Sequence, residues 1–224
     1  EKRSMNNMRI YYYRKNSAAS MMRPEEVDEA YIAGAKMVHL TGITPALSES
    51  CRQTSFKVIE YAKKHGVKIV FDPNVRLKLW DLDTMRRVML EMAEQADIIL
   101  PGLDEGQLLT GKQTPEEIAE SFLKGGDKTV IIKLGERGAY YRTPREEGYV
   151  PGFPAEVVDP VGAGDGFAAG VVSGILRGES LEQAVRRGNA VGAIVVGANG
   201  DVEGLPSLSE VEKVLAGGQD AQDV

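Results

Sequence analysis

Residues 159–170, Asp-Pro-Val-Gly-Ala-Gly-Asp-Gly-Phe-Ala-Ala-Gly, are the part of this chain best suited to chemistry. The pattern predicts a strand end, a glycine turn and the first turn of a helix, with Asp165 where free amides converge. Gly162 and Gly164 allow a ligand to approach the backbone closely, and a helix N-terminus attracts anions through its unpaired N–H groups and its dipole. Because a carboxylate repels an anion, Asp165 is better explained as the base for a hydroxyl group that attacks phosphorus.

The same string closely resembles the second signature of the ribokinase-like (PfkB) carbohydrate kinases. Gly-x-Gly turns precede helices in many α/β proteins, but here the aspartate, the Gly-Ala-Gly-Asp core, the aromatic residue and the small residues at 168–170 all match. Pro160 stands where threonine is more usual and marks a subfamily. The resemblance implies that Asp165 is the catalytic base and that Gly162, Ala163 and Gly164 form the anion hole.

Composition limits the classes of protein to consider. The chain has 224 residues, of which 42% are hydrophobic and 27% charged, and this suits one large α/β domain. A net charge of −6 argues against a general nucleic-acid surface. Since no apolar run approaches the ~18 residues of a membrane span, we expect no membrane partner. One cysteine, two histidines and the absence of a signal-peptide pattern favour a cytoplasmic protein without a thiolate metal cluster or a histidine-based hydrolase site.

Strand and helix patterns alternate along most of the chain, which predicts an α/β fold with a mostly parallel sheet and helices on both faces. The resemblance implies that this sheet is ribokinase-like. Strands are expected at 37–40, 67–71, 98–100, 129–134 and 139–142. Helices are expected from Pro24 onward and at 46–65, 81–95, 104–110, 115–124, 165–177, 181–197 and 207–215. Of the two histidines, His39 is predicted to pack in the core and His65 to cap a helix before Gly66.

Met8–Arg14, rich in aromatic residues, predicts one further strand. The resemblance implies that this strand leaves the core to form part of a β lid over the sugar. We therefore expect a partial lid strand and connection at 1–20, a kinase core at 21–216 and a flexible tail at 217–224. The first strands and the glycine-glycine sugar-binding signature of the family have no counterpart here, so we expect a truncated protein or a partial gene model.

Polar residues follow the strand expected at 67–71. Ligands of open α/β sheets collect at the carboxyl ends of the strands, and Asp72-Pro73-Asn74-Val75-Arg76 falls at such an end. The segment resembles the Asp-x-Asn-x-Arg loop of the family, which implies that Asn74 binds ATP and Arg76 binds the sugar. A capped loop with a solvated arginine is the structural alternative.

Glu105 follows the next strand. It matches a family glutamate that places magnesium through water, although Gly102 stands where the family has asparagine. The residue is equally compatible with a plain acidic helix N-terminus.

Residues Lys133-Leu134-Gly135-Glu136-Arg137-Gly138 lie at a third strand end. They resemble the Lys-x-Gly-x-x-Gly segment under the nucleotide, which implies ATP contacts from Lys133, Gly135 and Gly138. A hairpin turn without a binding role would have the same pattern. The resemblance also implies that Asn189 flanks the adenine.

Within the family, residues 11–20 and the segment 200–206 most closely resemble the 2-keto-3-deoxygluconate kinases. The resemblance implies that Tyr12, Arg14 and Arg76 bind a sugar acid, which fits the bidentate pairing of a guanidinium with a carboxylate. It also implies ATP and Mg²⁺ as cofactors and a homo-oligomer formed through the lid. Two alternatives stay open: a neutral-sugar kinase such as a fructokinase, and an inert nucleotide-binding module.

Overall fold

The structure is a computed structural model that describes residues 14, 16–124, 126–200 and 202–217. In this part of the chain, six strands form one sheet whose spatial order equals the sequence order. The strands are β1 (Met37–Thr41), β2 (Lys68–Asp72), β3 (Ile98–Ile99), β4 (Thr129–Lys133), β5 (Ala139–Arg142) and β6 (Glu147–Val150). Strands β1 to β4 are parallel, whereas β5 and β6 continue the sheet in antiparallel pairs.

The helices cover both faces of this sheet. They are α1 (Glu29–Ala33), α2 (Ile43–Leu47), α3 (Glu49–Lys64), α4 (Leu82–Gln95), α5 (Leu103–Thr110), α6 (Pro115–Leu123), α7 (Ala163–Leu176), α8 (Leu181–Val195) and α9 (Leu208–Gly217). Successive residues of β2 point to opposite faces, so Phe71 joins the core beneath α3 and α4, while Val70 packs with α7 and α8. No described helix is long and apolar enough to cross a membrane.

The predicted alternation and layering are confirmed. The helix expected at 46–65 is divided, because the Ser48 side chain accepts a hydrogen bond from the Cys51 amide at 3.1 Å and begins α3 anew. Pro24 opens a single 3₁₀ turn, Pro24–Glu26, and Asp28 then caps α1. Strand β6 was not predicted, since its sequence Glu-Gly-Tyr-Val is short and half polar. Residues 8–13 of the predicted lid strand and residues 218–224 of the predicted tail lie outside the described residues.

The two histidines differ in outcome. His65 is the C-cap residue of α3, as predicted, and its Nε2 lies 2.7 Å from Glu29 Oε1. The prediction that His39 packs in the core is wrong, because the residue is exposed. In the described part of the chain β1 is an edge strand, and no strand covers the side of β1 opposite β2. An apolar sequence context therefore did not ensure burial.

Candidate active site

The candidate active site lies where the carboxyl ends of the parallel strands meet the N-terminus of α7. Asp72 is the last residue of β2 and is in register with Thr41 at the end of β1. Lys133 is the last residue of β4. Residues distant in sequence are thus brought to one edge of the sheet, as the predicted topology requires.

The start of α7 has the conformation that the glycines were expected to allow. Gly162 is the N-cap residue with φ of 80°, a left-handed conformation that strongly favours glycine. Its carbonyl accepts the first helical hydrogen bond from Gly166 N at 2.8 Å, which leaves the amides of the first turn without helical acceptors. Asp165 lies in this turn and is exposed. The arrangement places a solvent-accessible carboxylate beside the helix end that was predicted to attract an anion.

Asp159 stabilises the loop that precedes α7 by accepting hydrogen bonds from two backbone amides. The residue is 1% exposed, and its Oδ1 accepts a hydrogen bond from Val161 N at 3.1 Å. Its Oδ2 accepts from Gly200 N at 3.3 Å, so the loop before α7 is tied to the turn after α8. Asp159 belongs to the glycine-rich motif but had no predicted role. The sequence feature that could have indicated its structural role is an acidic residue directly before a proline and a glycine turn, where a carboxylate can accept hydrogen bonds from backbone amides.

Lys133 and Asp72 form an ion pair beside the first turn of α7. Lys133 Nζ donates to Asp72 Oδ2 at 2.5 Å, with the lysine side chain 19% exposed and the aspartate side chain 1% exposed. A methyl group built on Gly164 would lie 3.6 Å from Lys133 Nζ. A cation therefore lies next to the helix end, close to the backbone of the predicted anion hole. Asp72 had no assigned role in the sequence prediction, although it directly follows a buried strand.

The loop after β2 is held by its own side chains. Asp72 Oδ1 accepts from Asn74 N at 3.1 Å, and Asn74 has φ of 40°. The half-buried guanidinium of Arg76 donates from Nη1 to the Val75 carbonyl at 3.0 Å. The structure thus brings Asn74 and Arg76 to the same sheet edge as Lys133, which is the location that their predicted roles require.

Glu105 connects this loop to α5. Its Oε1 accepts from Val75 N at 2.7 Å, and its Oε2 accepts from Gly102 N at 2.8 Å. Burial is the main cause that raises the pKa of Glu105; the negative charge of Asp72 adds to it and the ammonium of Lys133 opposes it. Both carboxylate oxygens are occupied by backbone amides, so a structural role accounts for the contacts seen.

His39 lies on the α7 face of β1, in register with Val70, and belongs to the same electrostatic group. Although the residue is exposed overall, desolvation of its ring lowers the pKa of His39. The charges of Asp72 and Asp165 oppose this shift, and that of Lys133 reinforces it. The residue therefore lies on the same side of the sheet as α7, which carries Asp165.

The predicted nucleotide segment forms a turn from Gly135 to Gly138, with φ of 63° and 94° at these two residues. A side chain at Gly138 would overlap the backbone at 150–152. Asn189 is buried, and its Nδ2 donates to the carbonyls of Val150 at 3.0 Å and Pro151 at 3.1 Å. Asn189 thus holds the loop that packs on this turn.

The predicted sugar-acid residues are described only in part. Tyr12 lies outside the described residues. Arg14 is described and half-buried, and its carbonyl accepts a hydrogen bond from Ser17 N at 3.2 Å.

Comparison with known proteins places the chain in a family. Residues 2–208 match the pfkB family carbohydrate kinases. The chain is 48% identical over 209 residues to 2-dehydro-3-deoxygluconokinase of Bacillus subtilis (strain 168), covering 92% of this chain and 64% of that protein. It is 33% identical over 224 residues to the probable fructokinase-4 of Arabidopsis thaliana, covering 96% of this chain and 68% of that protein.

Among solved structures, the fold resembles the PfkB protein from Polaromonas sp. JS666 with a TM-score of 0.85 and 38% identity. The match covers 94% of this chain and 68% of that one. The chain belongs to the pfkB family of carbohydrate kinases, and its sheet, with helices on both faces, is the ribokinase-like fold. It spans 64% of the length of the Bacillus subtilis relative.

Proposed function

We propose that this chain transfers the γ-phosphoryl group of ATP to the terminal hydroxyl group of 2-keto-3-deoxy-D-gluconate. The observation that carries the proposal is the placement of Asp165 in the first turn of α7, with Lys133 Nζ next to Gly164. The sugar-acid substrate is supported by the 48% identity to a 2-dehydro-3-deoxygluconokinase, against 33% to a fructokinase.

In the proposed reaction, Asp165 orients the terminal hydroxyl group and takes its proton as the new oxygen–phosphorus bond forms. The bond between the γ-phosphorus and the bridging oxygen breaks, and ADP leaves with that electron pair. The amides at 163–165 stabilise charge on the transferring group, as an oxyanion hole does. Positioning and charge stabilisation account for most of the rate enhancement in phosphoryl transfer.

The substrate's carboxylate is assigned to Arg14 and Arg76, with Tyr12 beside them, because a guanidinium pairs bidentately with a carboxylate. Nucleotide contacts are assigned to Asn74, Lys133, Gly135 and Gly138, with Asn189 supporting the adenine side. These contacts would orient the hydroxyl group for attack, so that binding energy from remote parts of the substrate favours the reaction.

Mg²⁺ is proposed to enter this site as an ion carried by the nucleotide. In the described part of the chain, no group of three or more His, Cys, Asp or Glu side chains could hold a metal ion. Mg²⁺ commonly keeps several waters and binds substrate phosphates, with one or two protein carboxylates nearby. Glu105 could contact such an ion through water, and the ion would neutralise charge on the phosphates.

The test is ADP release with 2-keto-3-deoxygluconate and, separately, with fructose, for the unmodified chain and for Asp165→Asn. We expect turnover on the sugar acid and a loss of about 10²–10⁴-fold in kcat for Asp165→Asn. Arg14→Ala should abolish use of the sugar acid without a comparable effect on fructose. Turnover on fructose alone would instead identify a neutral-sugar kinase. Nucleotide binding without turnover on either sugar would identify an inert module.

A further inference from the structure

Asp72 is a buried carboxylate that the proposed chemistry does not use. It is 1% exposed and connects two parts of the candidate site. Its Oδ1 accepts from Asn74 N at 3.1 Å, within the loop whose Asn74 is assigned to the nucleotide and whose Arg76 is assigned to the sugar acid. Its Oδ2 accepts from Lys133 Nζ at 2.5 Å, next to the helix end assigned to the phosphoryl group. One side chain therefore links the two binding regions.

The position of Lys133 makes this link useful. An ammonium group has three N–H donors, of which Asp72 takes one. The side chain is 19% exposed, so the group is partly open to a ligand. Its distance of 3.6 Å from a methyl group built on Gly164 places it beside the backbone of the anion hole. The remaining donors can therefore reach an anion at the start of α7.

We propose that Asp72 is a positioning residue, which holds the ammonium group of Lys133 where it meets the transferring phosphoryl group. The inference rests on the proposed function and deepens it. A carboxylate next to a phosphate site weakens the binding of ATP through charge repulsion. Asp72 is therefore explained by orientation of Lys133 in the transition state rather than by affinity for the nucleotide.

This explanation predicts opposite effects on binding and turnover. Asp72→Asn keeps the size of the side chain and the acceptor for Asn74 N but removes the charge that holds Lys133. ATP should bind equally well or up to about 5-fold more tightly. At the same time, kcat should fall about 10–100-fold, because the ammonium group is no longer fixed. A purely structural role would weaken ATP binding and turnover together.

Lys133→Met is the second variant that tests the inference. ATP affinity should fall more than ADP affinity, because the γ-phosphoryl group loses its cation and is left near an unpaired carboxylate. In the double variant with Asp72→Asn, ATP affinity should partly recover, while kcat stays at the value of Lys133→Met. This non-additivity is expected if Asp72 acts through Lys133.

The chain contains a control ion pair at the amino ends of β2 and β3, whereas the candidate site lies at the carboxyl ends of the strands. Asp97 accepts from Lys68 Nζ at 3.0 Å and from Ile69 N at 2.8 Å, so it also joins a lysine to a backbone amide. Asp97→Asn removes an ion pair of the same type at the start of β2, whereas the candidate site lies at the end of β2; the control pair is more exposed, with the Lys68 side chain 61% and the Asp97 side chain 33% exposed. It should change neither ATP affinity nor kcat.

Binding is measured by isothermal titration with ATP and ADP in the absence of sugar, and turnover by ADP release. Additive effects in the double variant, or equal losses of affinity and kcat in Asp72→Asn, would overturn the inference. If the chain binds ATP but phosphorylates neither sugar, the proposed function fails. The positioning role of Asp72 is then tested by the ATP affinities of Lys133→Met and of the double variant alone. Failure of Asp72→Asn to restore ATP affinity to Lys133→Met would then reject it, as would a chain that does not bind ATP.

Discussion

Four acidic residues of the candidate site carry the same functional group in different environments. Asp165 is exposed at a helix end, where it can meet a substrate, whereas Asp72 is buried against a lysine. Asp159 and Glu105 use both of their oxygens to accept backbone amides. Of these four, Asp165 has the exposed carboxylate, which is consistent with its proposed role as the base, and the other three hold parts of the site in place.

Asp159→Ala tests the support beneath α7. The change leaves the amides of Val161 and Gly200 without their acceptor, so the free energy of unfolding should fall by about 1–3 kcal/mol. Urea denaturation followed by circular dichroism measures it. Asp104→Ala, at an exposed residue in the first turn of α5, should stay within about 0.5 kcal/mol of the unmodified chain. Equal effects of the two changes would contradict the role given to Asp159.

Among the helices, the close packing of α7 against α8 holds in place the helix that carries Asp165. Glycines along α7 make the approach possible. A Cβ at Gly170 would lie 2.8 Å from Gly188 Cα and 2.9 Å from the Arg187 carbonyl oxygen, both of which are backbone atoms. Since neither atom can move without moving its helix, the spacing of the two helices depends on the absence of a side chain at Gly170.

Gly170→Ala should therefore destabilise the protein by about 1–3 kcal/mol through overpacking. It should also reduce turnover, because α7 carries Asp165. Gly192→Ala is the matched control, since its new methyl group would meet the Ala163 carbonyl oxygen at 3.5 Å, an ordinary contact. Ala favours a helix over Gly by up to about 1 kcal/mol, so the control should be neutral or stabilising. Thermal unfolding of both variants measures the change in stability. A Gly170→Ala variant that is more stable than the unmodified chain would show that the spacing between α7 and α8 can increase without cost.

The buried Arg187 also connects secondary-structure elements, because it joins α8 to the turn before it and to α9. Arg187 Nε donates to both oxygens of Glu179 at 3.1 and 3.0 Å, and Nη2 donates to Glu212 at 3.0 Å. The hydrogen bonds from Arg187 lower the pKa of Glu179 below its ordinary value of 4.5, although burial partly opposes the shift.

Because the pKa is lowered in the folded state, the stability from Glu179 is present above pH 4.5 and is lost as pH falls through the folded-state value. Glu179→Gln should cost about 2 kcal/mol at pH 7, and the difference from the unmodified chain should shrink below pH 4.5. Urea denaturation across this range measures the difference. Glu182→Gln, exposed in the first turn of α8, should show little effect on stability at pH 7. A cost for Glu179→Gln that did not change with pH would contradict the ion pair.

For the molecule as a whole, the candidate site forms only when the chain is folded and the strands are paired. Its residues come from β2, β4, α5 and α7, which are assembled by the parallel order of β1 to β4. A ligand of this site should bind the folded chain and not the unfolded chain. At a concentration of 100 times its Kd, ATP should raise the free energy of unfolding by about 2.7 kcal/mol.

Thermal unfolding with and without ATP measures that rise. Asp165→Asn should retain it, because the change removes a negative charge near the phosphates and no support of the fold. A rise confined to the unmodified chain would show that Asp165 serves nucleotide binding and would count against its role as a base.

The predicted homo-oligomer is a further proposal at this scale. Aromatic residues of the predicted lid strand, Tyr11 and Tyr13, are candidates for a contact between two copies of the chain. Sedimentation equilibrium should show a dimer whose dissociation constant rises when both tyrosines are changed to serine. A monomer at all concentrations would reject the proposal.

Sequence patterns alone were enough to predict the alternation of strands and helices and the start of α7 at a glycine turn with Asp165 in its first turn. These features follow from hydrophobic periodicity, helix caps and glycine conformation, which act between residues close in the chain. The folded chain was needed to reveal the pairing of Lys133 with Asp72, 61 residues apart, and of Gly200 with Asp159, 41 residues apart. It also decided that His39 is exposed, since the exposure of a strand depends on its place in the sheet. Sheet register and strand order decide which distant side chains meet, and no local pattern specifies them.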